Sequence, residues 1–478
     1  MAKSIFTLVC CLFFSLALIK PVQATHLLGG ELTYQSDTTA SANPLRYYFK
    51  LRTYHDANSA ADEPSATLYL GDGVKVTSER VSKVTISNSC GVIFLSTYYF
   101  EYTFPGPGQY RAVYHSPNRT NNIVNLPDSD EQAFTIAATF TIDAFDPINR
   151  PHSFLAIPIP CATQNQTFRH SLATFDLDGD SLAYELITPL KGILAGDNYI
   201  RFIDNVKGYT LPPQVSINAR TGEFIWDKPV QVGRYSFAVR VNSYRNKILV
   251  GTMMRDFVVT VVPNPDNFTH SFSIENRSEL SINDENQIFV TAGQPVKIKV
   301  KYQTTGQAKN LEAYSELFFK SATIPMDTIA TQDGILAEIT LTPEESWRRS
   351  QPYVLVLRGV SEVNGTLIQQ DFTLTLVAKP PLVSGGIGES PGVSEPGTNG
   401  LFTAYPNPAR DFVWVKNKGE FPRTRYRLYN ALQQVILQTK LNAGTTRIKL
   451  PPVATGIYFY QILTDSGKVL QSGKILIE

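Results

Sequence analysis

Along most of this chain apolar and polar side chains alternate with a period of two, in short runs cut by glycine and proline. Such a run buries one whole face only as an extended strand, because a helix of about 3.6 residues per turn would spread the pattern around its circumference. In Tyr47-Tyr48-Phe49-Lys50-Leu51-Arg52, Tyr47, Phe49 and Leu51 share one face while Lys50 and Arg52 take the other. Gly233-Arg234-Tyr235-Ser236-Phe237-Ala238-Val239-Arg240-Val241 turns Tyr235, Phe237, Val239 and Val241 inward. Val296, Ile298, Val300 and Tyr302 repeat the device, and Phe372-Thr-Leu-Thr-Leu376 does so again. Gly71-Asp72-Gly73 and Pro105-Gly106-Pro107-Gly108 mark turns between runs. The pattern predicts an all-β chain. One short helix is expected at Thr342-Pro343-Glu344-Glu345-Ser346-Trp347, which offers an N-cap, a proline at the first helical position and a capping-box glutamate.

At 478 residues the chain is too long for a single core. Shifts in pattern divide it into a β-sandwich over residues 25–150, a second over 151–263 and a third over 264–379. Residues 380–400 are rich in proline, glycine and serine and read as a flexible linker, after which 401–478 form a compact β unit. Short strands at this spacing suit immunoglobulin-like sandwiches. The expected fold is therefore tandem immunoglobulin-like β-sandwich domains followed by a small C-terminal β-sandwich.

A net charge of +1, with 18% charged residues, argues for neither nucleic acid nor an anionic membrane as partner. Met1–Ala24 carries Lys3, an apolar run Ile5–Ile19 and a Val22-Gln23-Ala24 cleavage site, the signature of a secretory signal peptide. Cys10 and Cys11 lie inside that run without the small residues a lipoprotein anchor requires just before its cysteine. No later stretch is apolar enough to span a bilayer as a helix. The mature chain then holds two cysteines, Cys90 and Cys161, and an oxidising compartment favours a bridge between them.

The best candidate for chemistry is Asp176-Leu177-Asp178-Gly179-Asp180. Carboxylates at alternate positions of a tight loop suit a hard cation such as Ca²⁺, with Glu185 and Asp143 or Asp146 as further ligands. It is no EF-hand, since Gly179 comes at the fourth position and Ile187 stands where the bidentate glutamate belongs. The plainer reading is a solvated acidic turn whose side chains cap backbone amides. The histidines, His26, His55, His115, His152, His170 and His270, are scattered without metal-ligand spacing. There is no Gly-x-Ser-x-Gly, and Gly29-Gly30 marks a turn or a close backbone approach rather than a phosphate loop. In Tyr98-Tyr99-Phe100-Glu101-Tyr102 alternation forces some ring outward, where it can stack on a sugar or anchor a partner.

Residues 401–478 open on Tyr405-Pro406-Asn407-Pro408 with Asp411 behind it, continue through Tyr426-Arg-Leu-Tyr429 and Gly456-Ile-Tyr458-Phe459, and close on Lys474-Ile-Leu-Ile477. They resemble the type A C-terminal sorting domain of cargo exported by the type IX secretion system of Bacteroidota. The resemblance implies that the secretion machinery reads this unit, which is then usually removed as the cargo is attached to surface lipopolysaccharide. Arg425, Arg427, Arg447 and Lys449 alternate with inward residues and are expected to give the unit a basic face. Thr25-His26-Leu-Leu-Gly29-Gly30-Glu31, together with Asp176-Leu-Asp-Gly-Asp-Ser-Leu-Ala-Tyr184, resembles the cadherin-like or putative-immunoglobulin region of gliding-motility-associated surface proteins over roughly residues 25–262. The expectation is a secreted or surface-displayed, non-catalytic protein that adheres to or binds an extracellular glycan or a neighbouring surface protein. The alternatives are a hydrolase whose site is assembled from distant residues, and a structural spacer.

Overall fold

The computed structural model describes residues 27–39, 42–59, 62–88, 90–142, 153–158, 161–176, 178–196, 199–245, 247–320, 324–349, 351–379, 402–406, 409–417, 424–429, 435–453, 456–464 and 469–477. Of these, 88, 153, 199, 319, 320, 379, 456, 457, 459, 469–474 and 476 are described by their backbone alone. The chain is all-β, as the alternation requires. Seven strands open it: β1 (Leu27–Ser36), β2 (Arg46–Asp56), β3 (Ser65–Tyr69), β4 (Lys75–Asn88), β5 (Gly91–Thr103), β6 (Gly108–Ser116) and β7 (Phe134–Ile142). They pair in the order β1-β2-β5-β4-β3-β6-β7.

The two ends of that order meet on one later strand, Ile248–Val262. Its Gly251 and Thr252 pair with Phe140 and Thr139 of β7, and its Arg255, Asp256 and Phe257 pair with Glu31, Gly30 and Gly29 of β1. The seven strands and this eighth therefore close into a hydrogen-bonded ring, to which further strands of the same sheet attach. Tyr47, Phe49 and Leu51 are buried as alternation predicts, and Phe140 stacks on Tyr34 and Tyr47 at 4.7 and 4.8 Å between ring centroids. The same hydrophobic core runs on into Phe224, Trp226, Phe237 and Val259. The expected division between residues 25–150 and 151–263 is therefore corrected: strands from both stretches share one sheet and one core. Alternation says which face of a strand is buried and is silent about whose sheet it joins.

The glycine pair of β1 makes this closure feasible. A Cβ on Gly29 would collide with the carbonyl oxygen of Asp256, and one on Gly30 would lie 3.0 Å from that of Arg52. The close-approach reading of Gly29-Gly30 holds. Glu31, the next residue, is buried, and Arg255 donates to it through Nε at 2.7 Å and through Nη2. Tyr54 and Arg52 each donate to it at 3.1 Å, and the Arg255 guanidinium lies 3.6 Å over the Phe154 ring. Burial would raise the Glu31 carboxyl, but the charges of Arg255 and Arg52 hold it below its ordinary value. Gly29→Ala is expected to cost about 1–3 kcal/mol, since backbone must move to admit the methyl. Chemical denaturation checks this, and an unchanged midpoint would contradict the close approach.

Residues 264–379 form two four-stranded sheets. One runs His270–Ile274, Val296–Thr304, Gly334–Leu341, Met326–Thr331; the other runs Gln287–Thr291, Thr366–Lys379, Tyr353–Val363, Gln307–Ser315. Ile298, Val300, Tyr302, Leu355, Leu357 and Leu374 fill the space between them. The helix expected from Thr342 is reduced to a single 3₁₀ turn, Glu345–Trp347, with Glu344 rather than Thr342 at its N-cap and no side-chain cap. Burial of Trp347 against Tyr353 holds the segment to the core, which outweighs the capping signal. A short α-helix, α1 (Leu317–Lys320), stands instead in a segment without such signals.

The last unit is a small sandwich. Phe402–Tyr405, Phe412–Asn417 and Thr445–Lys449 make one sheet; Val435–Leu441, Thr424–Tyr429, Gly456–Thr464 and Val469–Ile477 make the other. Tyr426, Leu428, Ile448 and Leu450 point into its core. Arg425 and Arg427 therefore lie outside one sheet and Arg447 and Lys449 outside the other, so the expected single basic face is split between two sheets. Arg447 instead spreads over Phe412 and Trp414 at 4.3 and 5.8 Å.

Candidate functional site

The strand Phe168–Ser171 pairs with Glu223–Trp226 on one side and packs on the other against the strand Thr366–Lys379 of the third unit. Where they meet, three ionisable side chains are buried together: His170, Arg358 and Asp371. Arg358 Nε and Nη2 donate to Asp371 Oδ1 and Oδ2 at 2.8 and 3.0 Å. Oδ2 also accepts the Ser171 backbone N–H at 2.9 Å and lies 3.0 Å from His170 Nδ1. Burial raises the Asp371 carboxyl, but Arg358 and His170 overcome this and hold it far below the usual range. An ionised carboxylate only accepts, so Nδ1 of His170 carries the proton, and burial pulls that imidazole down to about 4. Arg358 reaches further, donating through Nη2 to the Ile157 carbonyl at 3.2 Å. The charge pair lies within the third unit, and the second is fastened to it by the His170 and Ser171 N–H groups on Asp371 and by Arg358 on the Ile157 carbonyl.

Beside this fastening lies a cleft of about 380 Å³. Gln166, Arg169 and Glu223 form the wall from the second unit. His270, Ser271 and Phe272, with Asn286 and Phe372, form the wall from the third. Gln370 spans the two: its Oε1 accepts the Arg169 backbone N–H at 3.3 Å and its Nε2 donates to the Thr167 carbonyl at 3.1 Å. Arg169 Nη1 sits 3.3 Å from Glu223 Oε1, and burial raises the Glu223 carboxyl in spite of that partner. Phe272 and Phe372 stack with ring centroids 5.2 Å apart and planes 6° from parallel. His270 Nδ1 is buried without a hydrogen-bond partner, and burial draws its imidazole down to about 4. Of these residues the sequence singles out only Phe372, as a position in an alternating strand, and His170 and His270, as scattered histidines.

The acidic loop lies elsewhere in the second unit. Asp176, Asp178 and Asp180 converge, with one oxygen from each within 4.8 Å of the others. Asp176 Oδ1 accepts the backbone N–H groups of Asp178 and Asp180 at 2.8 and 3.1 Å, which makes the turn. Arg245 Nε and Nη2 donate to Asp180 Oδ1 and Oδ2 at 2.8 and 3.0 Å, and Nη2 lies 3.2 Å from Asp178. Glu185, named as a further ligand, instead accepts from Arg240 Nε and Asn242 Nδ2, both at 2.7 Å. Asp143 and Asp146 lie outside the described residues.

Burial, then the charges of Asp180 and Asp178, push the Asp176 carboxyl up to about 7. The folded state then holds a proton that the unfolded chain has released between about pH 4 and 7. This contribution to stability is complete below the unfolded value and is lost as pH rises to about 7. Asp176→Asn keeps the acceptor for both amides and has no proton to lose. In chelator, its unfolding free energy is expected to lack that falling component, and the difference between the two proteins' urea profiles from pH 4 to 8 isolates it. Superimposable profiles would contradict the shift.

Cys90 and Cys161 are joined, with their Cα atoms 5.7 Å apart, and tie the β4–β5 turn to a strand lying parallel to Thr260–Val262. Of the aromatic row on β5, Tyr98 and Phe100 are inside and Tyr99 is exposed. In the C-terminal unit Tyr405 is exposed, Asp411 accepts the Leu450 N–H through its carbonyl at 2.9 Å, and Tyr458 is buried. Gly456 and Lys474 occupy strand positions paired with Ile477 and Phe459. Pro406 follows Tyr405 through a cis bond, while Asn407, Pro408 and residues 1–24 lie outside the described residues. No helix among the described residues is long and apolar enough to cross a membrane.

Residues 403–478 match the secretion system C-terminal sorting domain family. The chain is thus cargo of the type IX secretion system, destined for the outer cell surface or the medium. No curated protein matches the sequence. Among solved structures, a DUF4785 family protein from Legionella pneumophila is 10% identical, covering 93% of this chain and 96% of its own at a TM-score of 0.20. The sialic acid binding region of a Streptococcus sanguinis adhesin is also 10% identical, over 63% of this chain and 96% of its own, at 0.18. A Bacteroides ovatus mixed-linkage glucan protein, SGBP-B, is 11% identical over 69% and 71%, at 0.14. Scores this low carry no argument about this chain.

Proposed function

We propose that this exported protein is a non-catalytic binding module which uses the cleft between its second and third units to hold an extracellular ligand. The observation that carries this is the cleft's construction. A polar hollow with an aromatic pair on one wall is held open by two units already locked through His170, Arg358 and Asp371. A preformed hollow does not spend binding energy on ordering itself. Ser271 lies exposed on the cleft's third-unit wall, so Ser271→Trp is expected to fill the cleft without touching the core. Attachment of cells displaying that variant should fall at least tenfold, with an unchanged melt; undiminished attachment would end the proposal. The likeness of residues 25–262 to gliding-motility-associated surface proteins fits a surface role of this kind.

A hydrolytic reading draws on one specific observation, the raised carboxyl of Glu223 in the cleft. Turnover of a bound ligand that disappears in Glu223→Gln would favour it. The acidic loop is assigned a structural role, with the Arg245 guanidinium supplying the positive charge that Ca²⁺ would otherwise bring. Millimolar Ca²⁺ should leave the melting temperature unchanged, and a rise reversed by chelator would restore the cation site. For export, the proposal follows the type A sorting signal and the N-terminal signal peptide. Removing residues 401–478 should leave the protein in the periplasm.

A further inference from the structure

We infer that the ligand of the junction cleft is a neutral oligosaccharide; this rests on the reading of the cleft as a binding site. Charge narrows the choice first. Arg169 is already committed to Glu223, Glu285 adds a second carboxylate to the lining, and desolvation keeps His270 neutral above about pH 4. The side chains lining the hollow thus sum to −1, taking Arg169 as +1 and Glu223 and Glu285 as −1 each. A phosphate, sulfate or sialic acid would meet carboxylates with no uncommitted cation to offset them.

Hydrogen-bonding chemistry narrows it further. The lining interleaves donors and acceptors: the Gln166 and Asn286 amides and Arg169 donate, Glu223 and Glu285 accept, and the Ser271 hydroxyl does either. A sugar hydroxyl is itself both donor and acceptor, so a ring of hydroxyls satisfies such a mixed lining where an aliphatic ligand would strand it. His270 also lines the hollow, and a neutral imidazole both donates and accepts. Phe272 and Phe372, stacked on each other, add apolar ring surface to the wall against which sugar C–H groups can pack. At about 380 Å³ the hollow sits near the lower end of the range of roughly 300–1,000 Å³ for small-molecule sites, which suits a short glycan segment.

The test titrates neutral oligosaccharides (glucans, mannans, xylans) and anionic ones (sialylated, sulfated) into the full chain by calorimetry. At least one neutral oligosaccharide should bind saturably and no anionic one more tightly. Glu223→Gln and His270→Phe should each weaken that binding tenfold or more with melts within reach of wild type. Tyr99→Ala, which removes the exposed ring on β5, should leave it unchanged. Binding confined to anionic glycans or to peptides would overturn the inference. Absence of any glycan binding, while Ser271→Trp still abolishes cell attachment, would refute the ligand class and leave the cleft standing. Neutral-glycan binding indifferent to Ser271→Trp, or lost in Tyr99→Ala, would refute both.

Discussion

Asp371→Ala is expected to be the most damaging single substitution in the mature protein, lowering stability by about 3–5 kcal/mol. The reason is less the bonds lost than the charge left behind. Arg358 is buried and would lose the carboxylate it is hydrogen-bonded to, while the Ser171 amide and His170 Nδ1–H would lose their shared acceptor. Replacing Asp371 and Arg358 together by leucine and methionine should cost far less, because desolvation of both charges disappears with their attraction. Urea denaturation of the single and double variants decides this, and a double variant as unstable as the single would show that the charge pair is not the source.

The same network predicts an acid response. His170 is depressed to about 4, so the unfolded chain takes up a proton first as pH falls below about 6.5, and stability declines from there. Asp371 is held far below its ordinary value, so its contribution is present above about pH 4 and is lost as pH drops below that. Both signs oppose that of Asp176, which is why the comparison with Asp176→Asn is made as a difference between proteins. Limited proteolysis between the second and third units should accelerate on acidification before the C-terminal sandwich is touched.

Loss of the disulfide has the other large expected effect. Cys90 and Cys161 are separated by 71 residues, and the chain-entropy treatment gives about 4 kcal/mol for closing such a loop at room temperature. The bridge joins the β4–β5 turn to a strand that lies parallel on Thr260–Val262, so it also holds the late strand in the ring. The Cys90→Ser, Cys161→Ser double variant should show a loss of that size in reversible denaturation, and wild type should match it in reductant. Equal stability with and without reductant would mean that the loop is closed as firmly by the sheet alone.

Some of the buried charge was visible beforehand, though its meaning was not. Arg255-Asp256 interrupts an apolar strand Ile248–Val262, and Arg358 interrupts Tyr353–Val363. A charge inside an otherwise apolar strand almost never goes unpaired, so each was a signal that a partner must exist. The partners stand far off: Glu31 is 224 residues from Arg255, and His170 is 201 from Asp371. The cleft was illegible for the same reason, since its walls come from Gln166–Glu223 and His270–Thr373 and no local motif marks either. The acidic loop was the reverse case: its three aspartates do converge, but Arg245, which neutralises two of them, comes 65 residues after Asp180.

By itself the amino-acid sequence determined what depends on near neighbours. Strand character, the buried face of each strand, the turns and the sorting signature at the C-terminus are all written within a few residues. Only the tertiary structure decided which strands share a sheet, that a late strand closes the early ones into a ring, and that two units meet around a buried ion pair beside a cleft. Alternation fixes the direction of a side chain but not the identity of what it meets, and the cleft is a meeting between distant segments.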